Sequence, residues 1–146
     1  MKIAKVRNVK TPTRGTPESA GIDFYIPEDY TQKNPLWPNQ SVFIPSGIKA
    51  DVPKGHALIA FNKSGVALKK DLRVGACVVD EDYQGEIHLH LTNIGKNKVY
   101  LSAGEKIVQF ILLPVFYDAV EVVEESVLFD TETQRGSGGF GSTGTL

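Results

Sequence analysis

The sequence has few of the features that define several large classes of protein. It has a single cysteine, Cys77, among 146 residues, so no disulfide can form within the chain and a reducing compartment is favoured. The formal net charge of −1 offers no basic surface for duplex nucleic acid or an anionic membrane. It has no apolar run of the roughly 18 residues that cross a bilayer, and no signal peptide. We therefore expect a soluble, cytoplasmic protein without a stable nucleic-acid or membrane partner.

Long helical periodicity is missing too, and short apolar segments bounded by proline and glycine take its place. Residues 41–61 contain three such segments, separated by Pro-Ser-Gly and Pro-Lys-Gly turns. Proline at strand edges and glycine in turns suit this arrangement. Further strands are predicted at 2–9, 20–27, 107–116 and 119–128, with one or two helical turns over 66–72. This pattern predicts an all-β sandwich or barrel.

Most of the candidate chemistry lies in residues 74–86, which read VGACVVDEDYQGE. Two valines precede the acids Asp80, Glu81 and Asp82, and an alternating run at 87–91 follows, which predicts a β-hairpin around a polar turn. A hairpin would hold a carboxylate firmly and offer backbone groups to a flat ligand. A solvated acidic turn explains this segment equally well when it is taken alone.

Other polar residues also allow both a functional and a structural interpretation. Asp23 in an apolar strand is either a turn former or the organiser of a polar site. Ser64 is predicted to cap the short helix, and Lys-Ser-Gly at a helix start would also suit an anion. Gln109 is either a satisfied core amide or faces a polar ligand. His88 and His90 alternate on one strand face, and we assign them no metal.

The segment 133–146, TQRGSGGFGSTGTL, has five glycines and no apolar periodicity. A disordered terminus is the default for such a composition. Arginine, hydroxyls and glycine-freed amides nevertheless suit phosphate oxygens, and a phenylalanine offers a face for a base. We interpret this segment as a lid for a nucleotide.

Five segments in order carry a resemblance to a known family: AGIDFY at 20–25, NKSGVA at 62–67, VGACVVDEDYQGE at 74–86, GEKIVQF at 104–110 and RGSGGFGSTG at 135–144. The chain resembles the homotrimeric deoxyuridine triphosphate nucleotidohydrolases, or dUTPases, over nearly its whole length. The resemblance implies a distorted jelly-roll subunit at 1–132, a flexible nucleotide-covering arm at 133–146, and a trimer whose active sites each draw on all three chains. It also implies hydrolysis of dUTP to dUMP and pyrophosphate, which keeps uracil out of DNA and supplies dUMP.

The resemblance further implies a role for each motif residue. Asp80 would be the base that activates water, and Tyr83 would lie under the deoxyribose while the hairpin backbone at Val79 reads uracil. Asp23 would hold, through water, a Mg²⁺ ion bound to the triphosphate. Two groups of residues would bind the nucleotide: Lys63, Ser64, Gly65 and Gln109 at the phosphates, and Arg135, Phe140, Gly141, Ser142 and Thr143 in the arm.

Two departures from the family pattern leave alternatives open. Lys63 stands where the second motif usually has arginine, and Cys77 stands where the third usually has glycine, so its side chain would either crowd the uracil or point away. A dCTP deaminase-like enzyme and a dUTP-binding regulatory protein of the same fold are the competing functions. Ammonia release from dCTP would identify the first, while Asp80 and the glycine-rich tail, which a pure binder does not need, argue against the second.

Overall fold

The computed structural model describes residues 1–140 and 142 and divides the chain into two compact units, Met1–Phe116 and Tyr117–Leu146. No helix in this described part is long and apolar enough to cross a membrane. The first unit contains one α-helix and nine short strands: β1 Lys2–Lys5, β2 Ile22–Tyr25, β3 Ser41–Pro45, β4 Ile48–Asp51, β5 His56–Asn62, α1 Ser64–Lys70, β6 Leu72–Val74, β7 Val78–Val79, β8 His88–Asn93 and β9 Lys106–Pro114.

The strands form two antiparallel sheets and a separate ribbon. One sheet has the order β2-β9-β5-β7 and the other the order β3-β8-β6, while β1 pairs with β4. Strands that follow one another along the chain lie in different layers, as in jelly rolls and Greek keys. The prediction of an all-β subunit is confirmed, and the strands expected within 20–27, 41–61 and 107–116 are present.

The core lies where the inner faces of the two sheets meet. In β8, Leu89 and Leu91 point inward and are buried, while the two histidines alternate with them on the other face. Phe24 of β2 and Phe110 of β9 pack with ring centroids 4.4 Å apart. A single apolar cluster joins residues of both sheets, and burial of such side chains supplies the main drive for folding.

The short helix begins one residue earlier than a serine cap requires. Lys63 is the N-cap residue, with φ −85° and ψ 127°, and its side chain makes no cap hydrogen bond. Ser64 is already the first helical residue, so the prediction that it caps the helix is wrong. The helix ends where Asp71 adopts a left-handed conformation, with φ 51°.

The β-hairpin predicted around Asp80 is wrong. Strand β7 belongs to the sheet of β5, whereas β8 lies between β3 and β6 in the other sheet. Because β8 has a partner on each edge, it has no free edge for β7. The acidic turn therefore connects two sheets rather than two strands of one ladder.

The strand predicted over 119–128 is also absent among the described residues of the second unit, whose one regular element is a 3₁₀ turn at Glu125–Val127. Alternation signals an apolar face, but a strand also needs a neighbouring ladder for its backbone groups. The described residues of this unit supply no such ladder. Val120 and Val122 are almost completely exposed, at 96% and 94%.

Candidate active site

One half of the candidate site forms where β2, β5 and β9 lie side by side. Asp23 pairs in register with Gln109, and Gln109 pairs with Phe61 near the end of β5. Asp23 is only 3% exposed, and its carboxylate contacts the ammonium groups of Lys63 and Lys106, the latter at 3.2 Å. A buried carboxylate needs such compensation because desolvation penalises its charged form.

Gln109 connects this cluster to the start of the helix. Its side-chain amide donates to the carbonyl of Asn62 at 2.8 Å, so the amide is both satisfied and adjacent to Lys63. A Cβ at Gly21 would lie 2.0 Å from Oε1 of Gln109, so any larger residue at position 21 would displace this amide. The structure brings together Asp23, Lys63 and Gln109, which the sequence assigned to the triphosphate and its Mg²⁺, and their roles stay predictions. It adds Lys106, which follows Glu105 in the fourth motif and was not predicted.

The second half of the site is the turn after β7. Val79 is buried and pairs with Leu58 of β5, and the exposed Asp80 follows it directly. Tyr83 donates its backbone N–H to the Asp80 carbonyl at 3.2 Å and its hydroxyl to the Glu86 carbonyl at 2.9 Å. The turn is therefore closed on itself and presents its first acid to solvent.

Glu86 fixes the far end of this turn through partners that are distant in sequence. Arg7 donates from Nε to Oε1 at 2.7 Å and from its terminal nitrogen to Oε2 at 3.3 Å, and the Gly47 N–H adds a bond of 2.8 Å. The hydrogen bond from Arg7 lowers the pKa of Glu86 below its ordinary value of 4.5, although partial burial opposes the shift. The sequence prediction missed this contact because no local pattern connects residues 7 and 86.

The two halves lie at different positions along β5. Val79 is paired with Leu58, whereas Lys63 comes five residues further along the chain. A strand rises about 3.3 Å per residue, so the two places on β5 are separated by about 16 Å. Asp80 and the cluster around Asp23 therefore do not meet within one chain.

The arm is described only in part. Arg135 donates from Nε to the carbonyl of Gly138 at 2.9 Å, Phe140 is fully exposed with φ 52°, and the Ser142 N–H donates to Gly139. The predicted phosphate-binding residues Gly141 and Thr143 lie outside the described residues. Within the first unit, Cys77 packs partly buried against the core, so this departure from the family pattern is accommodated by the fold.

A family model and curated relatives match most of this chain. The family model described as dUTPase matches residues 7–144. A human relative, "Deoxyuridine 5'-triphosphate nucleotidohydrolase, mitochondrial", is 41% identical over 133 residues, which are 91% of this chain and 50% of that protein. The chain thus spans half the length of that relative. By these matches, the chain belongs to the dUTPase family.

Solved structures of similar fold cover most of this chain. A mutant dUTPase of Staphylococcus bacteriophage 80alpha with dUpNHpp has a TM-score of 0.83 at 22% identity, covering 98% of this chain and 97% of that one. A mutant dUTPase of phage phi11 of S. aureus, whose structure reveals the coordination of a structural Mg(II) ion, has a TM-score of 0.71 at 18% identity, covering 85% of this chain and 96% of that one.

Proposed function

We propose that the protein hydrolyses dUTP to dUMP and pyrophosphate. The observation that carries this proposal is the position of Asp80, an exposed carboxylate that directly follows a strand anchored on β5 and begins a closed turn. Its neighbour Glu81 accepts a hydrogen bond from the Gly55 N–H and so holds the turn against the loop before β5. This arrangement supports Asp80 as the general base that deprotonates a water for attack on phosphorus.

The cluster where β5 leads into the helix supplies the groups that a triphosphate needs. Lys63 and the exposed residues Ser64 and Gly65 offer a cation, a hydroxyl and backbone N–H groups, with the amide of Gln109 beside them. A Cβ at Gly65 would meet nothing within 4 Å in this chain, so the fold itself does not require that glycine. We assign its small size to the approach of the phosphates.

Mg²⁺ fits this cluster as an ion that arrives with the substrate. Among residues 1–140 and 142 no group of three or more His, Cys, Asp or Glu side chains is arranged to hold a metal directly. Mg²⁺ keeps several waters and commonly binds through one or two carboxylates plus substrate phosphates, which suits the single buried carboxylate of Asp23. When bound, the ion would neutralise charge on the triphosphate.

The separation of the two halves supports an active site shared between subunits. If each site takes Asp80, Val79 and Tyr83 from one copy and the Asp23 cluster from a neighbour, a closed ring of three copies completes three sites. Exposed apolar residues of the second unit, including Val122 and Phe129, support an interface with another copy. Arg135 and Phe140 would then cover the nucleotide as part of the arm. For such a protein we propose the reducing cytoplasm as the compartment.

The experiment that tests this function is pyrophosphate release from dUTP, dCTP, dTTP and UTP, each with and without Mg²⁺. The proposal predicts release from dUTP alone, with a strong dependence on Mg²⁺ and little reaction of UTP because Tyr83 leaves no room for a 2′-hydroxyl. Ammonia release from dCTP, or tight dUTP binding without product, would refute it.

A further inference from the structure

The backbone changes sheets at Gly75–Cys77, immediately before the residues that carry the candidate chemistry. Strand β6, which ends at Val74, lies in the sheet of β8, whereas β7, which begins at Val78, lies in the sheet of β5. We name residues 75–77 the crossover. A backbone that leaves one ladder before it joins the next must find other partners for its polar groups.

His90 of strand β8 supplies two of these partners. Its carbonyl accepts the Gly75 N–H at 2.9 Å, and Nδ1 of its ring accepts the Ala76 N–H at 2.8 Å. On the opposite side, the Cys77 carbonyl accepts the Ala60 N–H at 2.7 Å. The crossover is therefore held between β8 and β5, and the side-chain contact requires the tautomer with its proton on Nε2.

The imidazole fits only because residue 75 is glycine. A Cβ at Gly75 would lie 2.2 Å from Nδ1 and 2.5 Å from Cε1 of His90, which is far inside any real contact. The ring also contacts the edge of Phe43, with centroids 5.8 Å apart. Because Gly75 has no side chain, the His90 ring can lie directly against the backbone of the crossover.

We propose that His90 is a positioning residue for dUTP hydrolysis, acting through Ala76 on the path of the chain into Val79 and Asp80. This inference rests on the proposed function. The crossover leads within two residues to Val79, whose backbone we assign to the uracil. Loss of the bond to Ala76 would loosen the crossover next to the proposed uracil site, while the pairing of Val79 with Leu58 still holds the start of the turn.

The neighbouring histidine of the same strand provides a matched control. His88 lies on the same face of β8 and stacks on the same Phe43, with centroids 4.4 Å apart and planes 5° from parallel. Its Nδ1 contacts the Glu86 carbonyl within its own segment instead of the crossover. A change at His88 therefore repeats the loss of an imidazole and of stacking, but it leaves the crossover bonds in place.

The test compares steady-state kinetics of wild-type protein with the variants His90→Leu, His90→Asn and His88→Leu. His90→Leu should raise the KM for dUTP about fivefold, the effect of one lost hydrogen bond, with kcat changed less than about twofold. His90→Asn should restore the KM, because its side-chain oxygen can occupy the place of Nδ1. His88→Leu should keep the wild-type KM. A lower kcat at unchanged KM in His90→Leu would indicate a merely structural role and overturn the proposal.

Two further measurements distinguish the positioning role of His90 from a loss of folding and from a failure of the proposed function. Gly75→Ala should displace the ring and raise KM as His90→Leu does, and the double variant should show no more than either single change. Amide hydrogen exchange at Ala76 should be faster in His90→Leu and normal in His90→Asn, even if dUTP proves not to be the substrate. Unchanged exchange at Ala76, or trimers that dissociate in His90→Leu, would overturn the proposal.

Discussion

At the scale of single residues, the three neighbouring acids of the central turn have different surroundings. Glu81 is bonded to the loop before β5, whereas Asp80 and Asp82 are exposed. Asp80 alone directly follows the strand that fixes its position, so it is our candidate base. Because the three acids are consecutive residues of one turn, the same kind of substitution can be compared from one acid to the next.

Asp80→Asn should keep the shape of the turn and the binding of the non-hydrolysable analogue dUpNHpp, while lowering kcat by two or more orders of magnitude, the typical contribution of a positioned base. The measurement is kcat for dUTP together with the Kd of the analogue. Asp82→Asn is the control and should keep most of the wild-type activity. Near-normal turnover by Asp80→Asn would move the base to another acid.

Glu86 predicts a dependence of stability on pH. Its pKa lies below the ordinary value of 4.5 in the folded protein, mainly because Arg7 hydrogen-bonds the carboxylate. A carboxyl group with a lowered pKa stabilises the fold above its unfolded pKa, and this contribution is lost as the pH falls through the folded pKa. Glu86→Gln should therefore be destabilised relative to wild type at about pH 7, and the difference should shrink below about pH 4.5.

The measurement is the free energy of unfolding in urea at several pH values. Arg7→Met removes the same pair from the other side, so it should likewise be destabilised at about pH 7, with a difference from wild type that shrinks towards acid pH. The double variant should be little worse than either single variant, because one interaction is lost in all three. A difference between wild type and Glu86→Gln that stays constant down to acid pH would contradict this explanation.

The sequence alone pointed to the motif residues, but it did not predict the residues that hold them in place. Asp23, Lys63 and Gln109 were predicted to serve the triphosphate and its Mg²⁺; strand register and an ion pair place them side by side, and their roles stay predictions. The buried Asn93 was not predicted, because alternation places an inward residue at the end of β8 without showing that Leu36 and Asn97 satisfy its amide. Such supports depend on contacts between distant parts of the chain.

At the scale of elements, local patterns predicted strands better than they predicted pairings. The apolar runs at β3, β4 and β5 were found, yet none of these three strands pairs with another of them. The hairpin prediction failed for the same reason: two apolar runs around a short turn leave open whether they share a ladder. The segment 119–128 alternates like a strand, but in the described residues it has no ladder to join.

The arm gives a prediction at this scale. Ordering a glycine-rich segment costs about 1–2 kcal/mol per residue, so we expect it to close over the nucleotide only when contacts to the ligand offset that cost. A chain that ends at Glu132 should remain folded and bind dUpNHpp more weakly, but hydrolyse dUTP far more slowly. Phe140→Ala should show part of this loss, because it removes the stacking face and keeps Arg135.

Single-turnover hydrolysis by the shortened chain measures this effect directly, and circular dichroism checks that the fold is intact. Protection of the full-length arm from protease by dUpNHpp and Mg²⁺ is the complementary observation. A wild-type single-turnover rate in the shortened chain would mean that the arm takes no part in the reaction.

At the scale of the whole molecule, the two halves of the candidate site are separated along β5. Leu58, the partner of Val79 on β5, lies about 16 Å along the chain from the lysine that we assign to the phosphates, at the rise of an extended strand. Hydrolysis needs both halves within reach of one triphosphate. In the proposed trimer, the turn of one copy and the cluster of the next copy reach the same triphosphate. From the sequence, this arrangement was implied only by the resemblance to the family.

The most direct test of this shared site is complementation between two impaired variants. Asp80→Asn lacks the base, and Lys63→Met lacks the phosphate cation, so each homotrimer should have little activity alone. Unfolding and refolding the two together in equal amounts should restore about a quarter of the wild-type activity, since random assembly gives that share of sites with both groups intact. If both groups came from the same chain, the mixture would be no more active than its components, and that result would contradict the shared active site.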